Sequence, residues 1–260
     1  MNWLQLNREI PSIEPEAVFH IGNFPVTNSF LLTTFILFLF VGLAFYIKRF
    51  SIKPTKTQAA IEYIYTGMVD LVDQIVDNKE QSRKIVHLVG ALFIFIGVAN
   101  LIEIIPGISS FQYNGIPVFR SPTTDFNMVL GLGIAMMLLI QLAAIRKLGT
   151  LEYLGQYFQV KKVWEGFKEG AGAGAMALTE FFIGLLDIIG ELAKVLSLSF
   201  RLFGNIYAGQ VLAIIILGAV AYGLPAVWLS MSLLFGIVQA IVFGSLVAAY
   251  YMIALQSSEE

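Results

Sequence analysis

Six polar residues between positions 180 and 205 lie on one side of a predicted helix in an otherwise apolar segment. They are Glu180, Asp187, Glu191, Lys194, Arg201 and Asn205. At 100° per residue they fall within an arc of about 80°, and at 1.5 Å per residue they extend about 37 Å along the axis. Ionisable groups are rare in membrane helices, where they mark ion pathways. The pattern predicts one polar stripe long enough to cross a membrane, although Glu180 and Glu191 would also suit a helix end in water.

The chemistry of the stripe centres on Arg201, whose guanidinium cannot lose its proton in an apolar medium. A central arginine costs at least about 2.5 to 3.5 kcal/mol on the insertion scale. The nearest acids in sequence, Glu191 and Asp187, are about 15 and 21 Å away along the helix, too far for a salt bridge. Arg201 therefore needs a carboxylate from elsewhere. Glu103 on another predicted span is one candidate, and a carboxylate on a second subunit is the other.

Small residues next to Arg201 favour the second subunit, because they let two helices approach closely. Ser197, Gly204 and Ala208 share nearly the same face as Arg201. The last helix has a comparable stripe, in which a small residue recurs every fourth position beside Gln239. Its members are Ser232, Gly236, Ala240, Gly244 and Ala248. Both faces suit packing against another subunit, and packing within this chain is the alternative, above all for the last helix.

The composition that surrounds these residues is that of an integral membrane protein. Of 260 residues, 57% are apolar and 13% are charged, whereas a soluble protein has roughly 25% charged residues. A net charge of −2 excludes a nucleic-acid-binding protein with a basic face. The absence of cysteine excludes a thiolate metal site or a cysteine nucleophile, and two histidines are too few for most metal sites. We therefore expect no cofactor and no metal.

Four regions are long and apolar enough to enter a membrane, since one crossing needs about 20 apolar residues. They are 25–47 (span 1), 85–105 (span 2), 126–145 (span 3) and 176–255, which contains a turn at 221–226. The last region is thus a helical hairpin. We expect an all-α protein with about five membrane helices in a single membrane domain.

The first helix of the hairpin is unusually long. If residues 176–220 form one helix, it measures about 68 Å, over twice the thickness of the hydrocarbon core. Ordinary helix tilts cannot absorb that length. Either the helix breaks, or the C-terminal hairpin lies steeply tilted in the membrane.

The distribution of cations predicts the orientation, because lysine and arginine near the spans stay on the cytoplasmic side. Twelve of the sixteen lie in the loops 48–84 and 146–175, whereas the segments 1–24 and 106–125 hold one arginine each. The N-terminus is therefore expected outside and the C-terminus in the cytoplasm. The charged segment 1–24 does not fit a cleavable signal peptide, and a bacterial inner membrane suits this plan best.

The inside loop 48–84 contains an amphipathic helix over residues 57–77. Its apolar face is formed by Ile61, Ile64, Met68, Leu71, Val72 and Ile75. The acids Asp70, Asp73 and Asp77 point away from this face. The helix either lies at the membrane interface or docks a partner, and the sequence does not separate the two.

Four stretches resemble one family. LAKVLSLSFRLFGNIYAGQ (192–210) resembles the signature of the a subunit of rotary F-type ATP synthases, in which an arginine followed by LFGN marks the ion-translocating helix. ANLIEIIPG (99–107), SPTTDFNMVLGLG (121–133) and GIVQAIVFGSLVAAYYM (236–252) resemble its outer acidic segment, its loop into the third span and its glutamine-bearing last helix. The first of these matches is the most specific.

The resemblance implies a membrane stator that faces a ring of c subunits, is held by peripheral-stalk b subunits, and performs no catalysis on its own. Arg201 would be the essential arginine that separates two half-channels, with Gln239 and Asn205 as polar neighbours. Glu103 would belong to the outer half-channel and Asp187 to the inner one. The coupling ion would most simply be a proton.

One position of the outer half-channel departs from the family pattern. Gln210 and Ser232 stand where many members carry a titratable pair, so Glu103, water and hydroxyl groups would have to carry the outer route. Glu191 is either a second inner acid or the partner of Lys194 at i+3, and we favour the pair. A secondary transporter with a polar broken-helix hairpin is the alternative function, although no second half repeats the hairpin.

Overall fold

The computed structural model describes residues 14–49, 55–76, 79–105, 107–108, 111–157, 160–219 and 224–256. These residues form two compact units. The first unit contains the described residues up to Val129 together with Phe200–Ala249, and the second contains Leu130–Ser199 with the described residues from Tyr250 onward. Three of the helices given below, α4, α7 and α8, contribute to both units.

The described chain is mostly α-helical, as the sequence predicts. Its helices are α1 (Asn28–Ile47), α2 (Lys56–Ile75), α3 (Lys79–Ile104), α4 (Phe126–Leu148), α5 (Thr150–Tyr157), α6 (Val160–Glu169), α7 (Ala171–Ala219) and α8 (Leu224–Gln256). A short 3-10 turn, Pro122–Thr124, precedes α4. The helices α5 and α6 lie in the predicted inside loop 146–175.

Four helices of the described chain are long and apolar enough to cross a membrane. These spans are Asn28–Ile47, Lys79–Ile104, Phe126–Lys147 and Ala226–Leu255. The helix α7 carries ionisable residues along its middle and is not among the four. The all-α membrane class is confirmed, while the fifth span and the tilt of the hairpin stay predictions.

The helix α7 has no break among its 49 residues. At 1.5 Å per residue it is about 73 Å long, so its length supports the unbroken alternative raised by the sequence. Of the predicted turn 221–226, residues 221–223 lie outside the described part of the chain. The helix α8 begins at Leu224, with Pro225 in its first turn, where a missing N–H costs nothing.

The core of the first unit joins α1 and α3. Leu32 and Ile36 from α1 and Ala99 from α3 are fully or almost fully buried. Aromatic and aliphatic side chains surround them, including Phe95 and Phe119. Large apolar side chains elsewhere on α1 are exposed, as expected for a helix whose outer face meets lipid.

The small-residue stripe of α8 packs against α3 within the same unit. A Cβ atom at Gly236 would lie 3.1 Å from Cβ of Asn100, and one at Gly244 would lie 3.2 Å from Cγ1 of Val89. Ala240 is buried, and its Cβ lies 3.9 Å from the position of a Cβ at Gly97. Of the two alternatives left open for this stripe, the structure shows packing within the chain, because α3 occupies the close-packing face.

The predicted apolar face of α2 is also used within the chain. Met68 and Val72 are buried, and a Cβ at Gly90 of α3 would meet the terminal methyl group of Met68. Asp73 of α2 accepts a hydrogen bond from Ser82 of α3. Ile64, on the same predicted face, remains exposed. Part of this face thus packs on α3, and Asp77, which was placed on the opposite face, lies outside the described residues.

Two short β-hairpins lie in segments where the sequence analysis expected no strands. β1 (Ala17–Ile21) pairs with β2 (Phe24–Thr27), and β3 (Gln112–Tyr113) pairs with β4 (Ile116–Pro117). The second turn has Asn114 at φ 52° and Gly115 at φ 81°. An Asn-Gly pair with two positive φ angles is the preferred sequence for a tight two-residue hairpin.

The second unit is built on close contacts between α4, α6 and α7. A Cβ at Gly133 of α4 would lie 2.8 Å from Oγ of Ser199, and one at Gly166 of α6 would lie 2.9 Å from the carbonyl oxygen of Ala173. Gly170, with φ of 143°, separates α6 from α7. A side chain at Gly133 or Gly166 would force its neighbours to shift, and the positive φ of Gly170 favours glycine.

Candidate functional site

A cavity of about 380 Å³ lies in the first unit and brings several predicted site residues together. Glu103 from α3, Asn205 and Gln210 from α7, and Ser232 from α8 all line it. Its other polar lining residues are Glu16, Asn28, Asn100, Arg120 and Ser121. Since one water occupies about 30 Å³ of the liquid, the cavity has room for a connected group of water molecules.

Glu103 is held in the cavity wall by Gln210. The amide Nε2 of Gln210 donates a hydrogen bond to Oε1 of Glu103. The second carboxylate oxygen, Oε2, is buried and has no hydrogen-bond partner among the described residues. A buried carboxylate oxygen without a partner is costly unless water or a proton occupies it. Gln210, one of the two residues that depart from the family pattern, therefore contacts the predicted acid Glu103, and in this contact Gln210 donates and Glu103 accepts.

The amides of Asn205 and Gln239 form a second contact between α7 and α8. Nδ2 of Asn205 donates to Oε1 of Gln239 at 3.0 Å. Gln239 is 6% exposed, and its own Nε2 has no partner in the described part of the chain. A buried donor without a partner is costly unless water or a rearranged side chain satisfies it.

Arg120 forms part of the cavity wall and connects three segments. Its Nη1 donates to the carbonyl oxygen of Glu14 at 2.9 Å, and its Nη2 donates to the carbonyl oxygen of Thr124 at 2.8 Å. Burial lowers the pKa of Arg120, and the charges of Asp125, Glu16, Tyr207 and Glu103 oppose that shift. The guanidinium is thus surrounded by acidic groups in a partly desolvated position.

Asp125 fixes the start of α4. Its Oδ1 accepts from the backbone N–H groups of Asn127 and Met128, which is the N-cap arrangement. Its Oδ2 accepts from the hydroxyl of Ser29 at 2.5 Å, which ties α4 to the first turn of α1. Asp125 is therefore a structural residue whose hydrogen-bonding capacity is used locally.

Arg201 lies on the exposed surface of α7. It makes no ion pair and no hydrogen bond with any residue that the structure describes. A Cβ at Gly204, one turn further along the helix, would meet no atom within 4 Å. Ala208 is also exposed. The small-residue face of α7, unlike that of α8, is unoccupied, and Glu103 is not the partner of Arg201.

The predicted inner acids belong to the second unit. Nζ of Lys194 lies 2.6 Å from Oε1 of Glu191, which confirms the pair that the sequence favoured over a free inner acid. Nε2 of Gln141 donates to Oε2 of Glu191 at 3.2 Å. Asp187 and Glu180 are exposed on α7. Within the described residues, no group of three or more histidine, aspartate or glutamate side chains is placed to hold a metal ion.

Comparison with known proteins decides the family. The sequence profile described as ATP synthase A chain matches residues 28–252, which is most of the chain. The chain belongs to this family. The stretches that carried the resemblance, 99–107, 121–133, 192–210 and 236–252, all lie inside the matched region.

The chain is similar to individual members of this family over most of their length. The chain is 31% identical to ATP synthase subunit a of Legionella pneumophila over 244 residues, 93% of this chain and 92% of the relative. It is 28% identical to subunit a 2 of Picosynechococcus over 247 residues, 94% and 92% of the two chains. It is 30% identical to a sodium-ion-specific subunit a of Propionigenium modestum over 245 residues, 91% and 77% of the two chains.

The cavity contains A-chain residues that the sequence analysis did not select. Asn100 bridges two elements, because its Nδ2 donates to the carbonyl of Gly236 at 3.2 Å and its Oδ1 accepts from Thr123 at 2.8 Å. An asparagine within an apolar membrane helix is a sequence signal for such a hydrogen-bonded bridge. Glu16 gave no such signal, because it precedes the first span and lies outside the region matched by the A-chain profile.

Proposed function

We propose that this A chain is the proton-translocating stator subunit of a rotary ATP synthase, with Arg201 separating an outer from an inner half-channel. The observation that carries the proposal is the exposed guanidinium of Arg201, which has no partner among the described residues. A fixed cation in an apolar surface needs a carboxylate. A ring of c subunits, each presenting one carboxylate, would supply it.

The outer half-channel in this proposal is the cavity of the first unit. Glu103 receives a proton from the outside through water in this cavity and delivers it to a ring carboxylate. Gln210 holds Oε1 of Glu103, and Ser232 contributes a hydroxyl group to the cavity wall. Asn205 contributes to the polar wall of the cavity and contacts Gln239 behind it. The neutral ring carboxylate can then face lipid, since its charge is no longer exposed to the apolar medium.

The inner half-channel starts from Asp187 on the exposed surface of α7. A returning ring carboxylate loses its proton towards Asp187, and Glu180 lies further along the same stripe towards the cytoplasm. Glu191 is paired with Lys194, so we assign it a structural role beside the route. Each elementary charge that crosses 100 mV releases about 2.3 kcal/mol, which the ring delivers as rotation.

Arg201 acts on the ring carboxylate during the crossing between half-channels. Its charge stabilises the ionised form and repels a cation that would leak from one half-channel to the other. The attraction must remain transient, because a dry bidentate pair would stop rotation.

We propose that the chain crosses a bacterial inner membrane five times, with the N-terminus outside and the C-terminus in the cytoplasm. The C-terminal hairpin would lie tilted along the ring, and peripheral-stalk b subunits would be further partners.

The experiment is ion-driven ATP synthesis by the complete synthase in membrane vesicles. We expect Arg201→Ala to abolish synthesis, and Arg201→Lys to reduce it nearly as far because an ammonium lacks the planar fork of the guanidinium. Leu196→Ala is the matched control, because Leu196 is equally exposed on α7 but points to the opposite face. Normal synthesis with either arginine variant, at normal assembly of the complex, would overturn the proposal. Synthesis that requires Na⁺ rather than a proton gradient would replace the proton by sodium.

A further inference from the structure

The outer route as proposed above contains one titratable residue of the membrane spans, Glu103, because Gln210 and Ser232 do not titrate in a proton relay. The same cavity, however, is lined by a second carboxylate that comes from the N-terminal segment. This residue is Glu16. We propose that Glu16 is the entry carboxylate of the outer half-channel, which takes up protons from the outside and passes them through cavity water to Glu103. This inference rests on the proposed function.

The fold places the backbone of Glu16 at the cavity wall. The backbone N–H of Asn28 donates to the carbonyl oxygen of Glu16 at 3.0 Å, and β1 begins at the next residue, Ala17, which pairs with Thr27. The hairpin therefore returns the chain directly to α1. Asn28 is itself buried and lines the cavity. Glu16 is half-buried, so its carboxylate is neither free in solvent nor sealed in the core.

A second observation points to an occupant of the cavity between Glu16 and Glu103. Oε2 of Glu103 is buried without a hydrogen-bond partner among the described residues. A carboxylate oxygen in that position requires a water molecule or a bound proton. The cavity, about 380 Å³ in volume and lined by both carboxylates, provides the space for that water.

The positive charge of Arg120 explains why the cavity wall needs a carboxylate near this residue. Its guanidinium lines the same cavity and would by itself give a positive potential that repels protons. The titratable and charged groups that act on it are Asp125, Glu16, Tyr207 and Glu103. Asp125 is committed to Ser29 and to the first turn of α4. Asp125 and Glu16 together oppose the charge of Arg120, and of these two acids only Glu16 lines the cavity. Ionised Glu16 therefore lowers the positive potential inside the cavity and leaves Glu103 to accept a proton.

The transfer itself is a balanced proton relay. A proton from outside water binds the Glu16 carboxylate and forms an O–H bond. That bond breaks as cavity water accepts the proton, and the water releases a proton to Oε2 of Glu103. Glu16 is thereby restored as a carboxylate, and no other reactant is needed.

The test measures ATP synthesis by the complete synthase in inverted vesicles as a function of the proton concentration in the lumen. We expect Glu16→Gln to raise the half-saturating proton concentration about tenfold with little change in the maximal rate, because Arg120, whose charge is then less fully balanced, lowers the local proton concentration in the cavity. Glu16→Asp should restore the half-saturating value. Glu14→Gln is the matched control: Glu14 contacts Arg120 through its backbone carbonyl, which the change retains.

An unchanged half-saturating concentration in Glu16→Gln would overturn the inference. So would a fall in the maximal rate alone, because that is the result of a purely structural defect. Arg201→Ala in the same vesicles separates this inference from the proposed function. If Arg201→Ala abolishes synthesis while Glu16→Gln behaves as the unsubstituted protein, the stator function stands and only the entry role of Glu16 fails.

Discussion

The side-chain amide of Asn205 donates to Oε1 of Gln239 at 3.0 Å, and this contact joins α7 to α8 one helical turn beyond Arg201. Gln239 is buried, and its remaining donor, Nε2, has no partner among the described residues. Asn205 therefore fixes the amide of Gln239 in one orientation. In that orientation Nε2 points to no hydrogen-bond acceptor among the described residues.

Removal of both members of this amide pair should cost less than the sum of the two single removals. Asn205→Leu leaves Oε1 of Gln239 buried without a donor, which costs about 1 to 3 kcal/mol. Asn205→Leu combined with Gln239→Leu replaces both polar groups, so the double variant should be less destabilised than the sum of the single variants by about 1 kcal/mol. Thermal inactivation of the purified synthase measures this coupling. Strict additivity would show that the hydrogen bond contributes nothing.

The sequence was sufficient for the long helices, because they follow from hydropathy and helical periodicity, but it did not predict α5 and α6 in the inside loop. It also predicted the pair of Glu191 with Lys194, which needs only the spacing of residues on one helix. Periodicity does not predict which helix packs against a small-residue stripe. The stripe of α8 has the same periodicity whether it meets α3 or another subunit, so only the coordinates assign Gly236 and Gly244 to α3.

The contribution of the outer segments to the cavity was hidden for a similar reason. Glu16 belongs to the N-terminal segment before α1, and Arg120 belongs to the loop between α3 and α4. Hydropathy gives no information about how such segments fold against the spans. The Asn-Gly turn at Asn114 was a usable signal for the second hairpin. The approach of Glu14 and Glu16 to the cavity depends instead on long-range hydrogen bonds, above all the one from Arg120 to the carbonyl of Glu14.

Gly133 should tolerate no side chain, since α4 and α7 approach closely at this point. A Cβ there would lie 2.8 Å from Oγ of Ser199 and 3.4 Å from Cγ1 of Val195. We expect Gly133→Ala to lower the stability of the synthase by about 1 to 3 kcal/mol. Gly131→Ala, two residues earlier, is the control because its Cβ would meet nothing within 4 Å.

Ser199→Ala should partly rescue Gly133→Ala. The hydroxyl of Ser199 is buried without a partner among the described residues, so its removal costs no hydrogen bond and clears the position of the new methyl group. The inactivation temperature of the assembled synthase is the readout for all three variants. Equal destabilisation by Gly131→Ala and Gly133→Ala would show that helix propensity, and not the close contact, determines the effect.

Separate measurements of stability and of ATP synthesis distinguish two roles of Glu191. It is either the structural partner of Lys194 or a group on the ion route. Both side chains are largely buried, with exposures of 21% and 27%. Lys194→Met leaves the carboxylate with Gln141 as its remaining donor, and we expect a loss of about 1 kcal/mol of stability with a nearly normal rate of synthesis. Glu191→Gln added to Lys194→Met should recover part of that loss, since no unpaired charge remains. A loss of synthesis in Glu191→Gln at unchanged stability would instead assign Glu191 to the ion route.

The unoccupied face of α7 leads to a cross-linking prediction. The chain contains no cysteine, so a single introduced thiol has no competitor within it. Gly204 has open space at its Cβ position and Ala208 is exposed, both on the face of Arg201, whereas Ala240 is 1% exposed in the contact of α8 with α3.

If the ring covers the face of Arg201, Gly204→Cys and Ala208→Cys should form disulfides with cysteines placed along the outer helix of a c subunit, and Ala240→Cys should not. Disulfide formation requires Cα atoms within about 7 Å, so the products measured on non-reducing gels report direct helix contact. Cross-linking by Ala240→Cys with the same efficiency would mean that the contact of α8 with α3 opens. A complete lack of cross-links from both α7 positions, in a synthase that still pumps protons, would leave Arg201 without the ring partner that its charge requires.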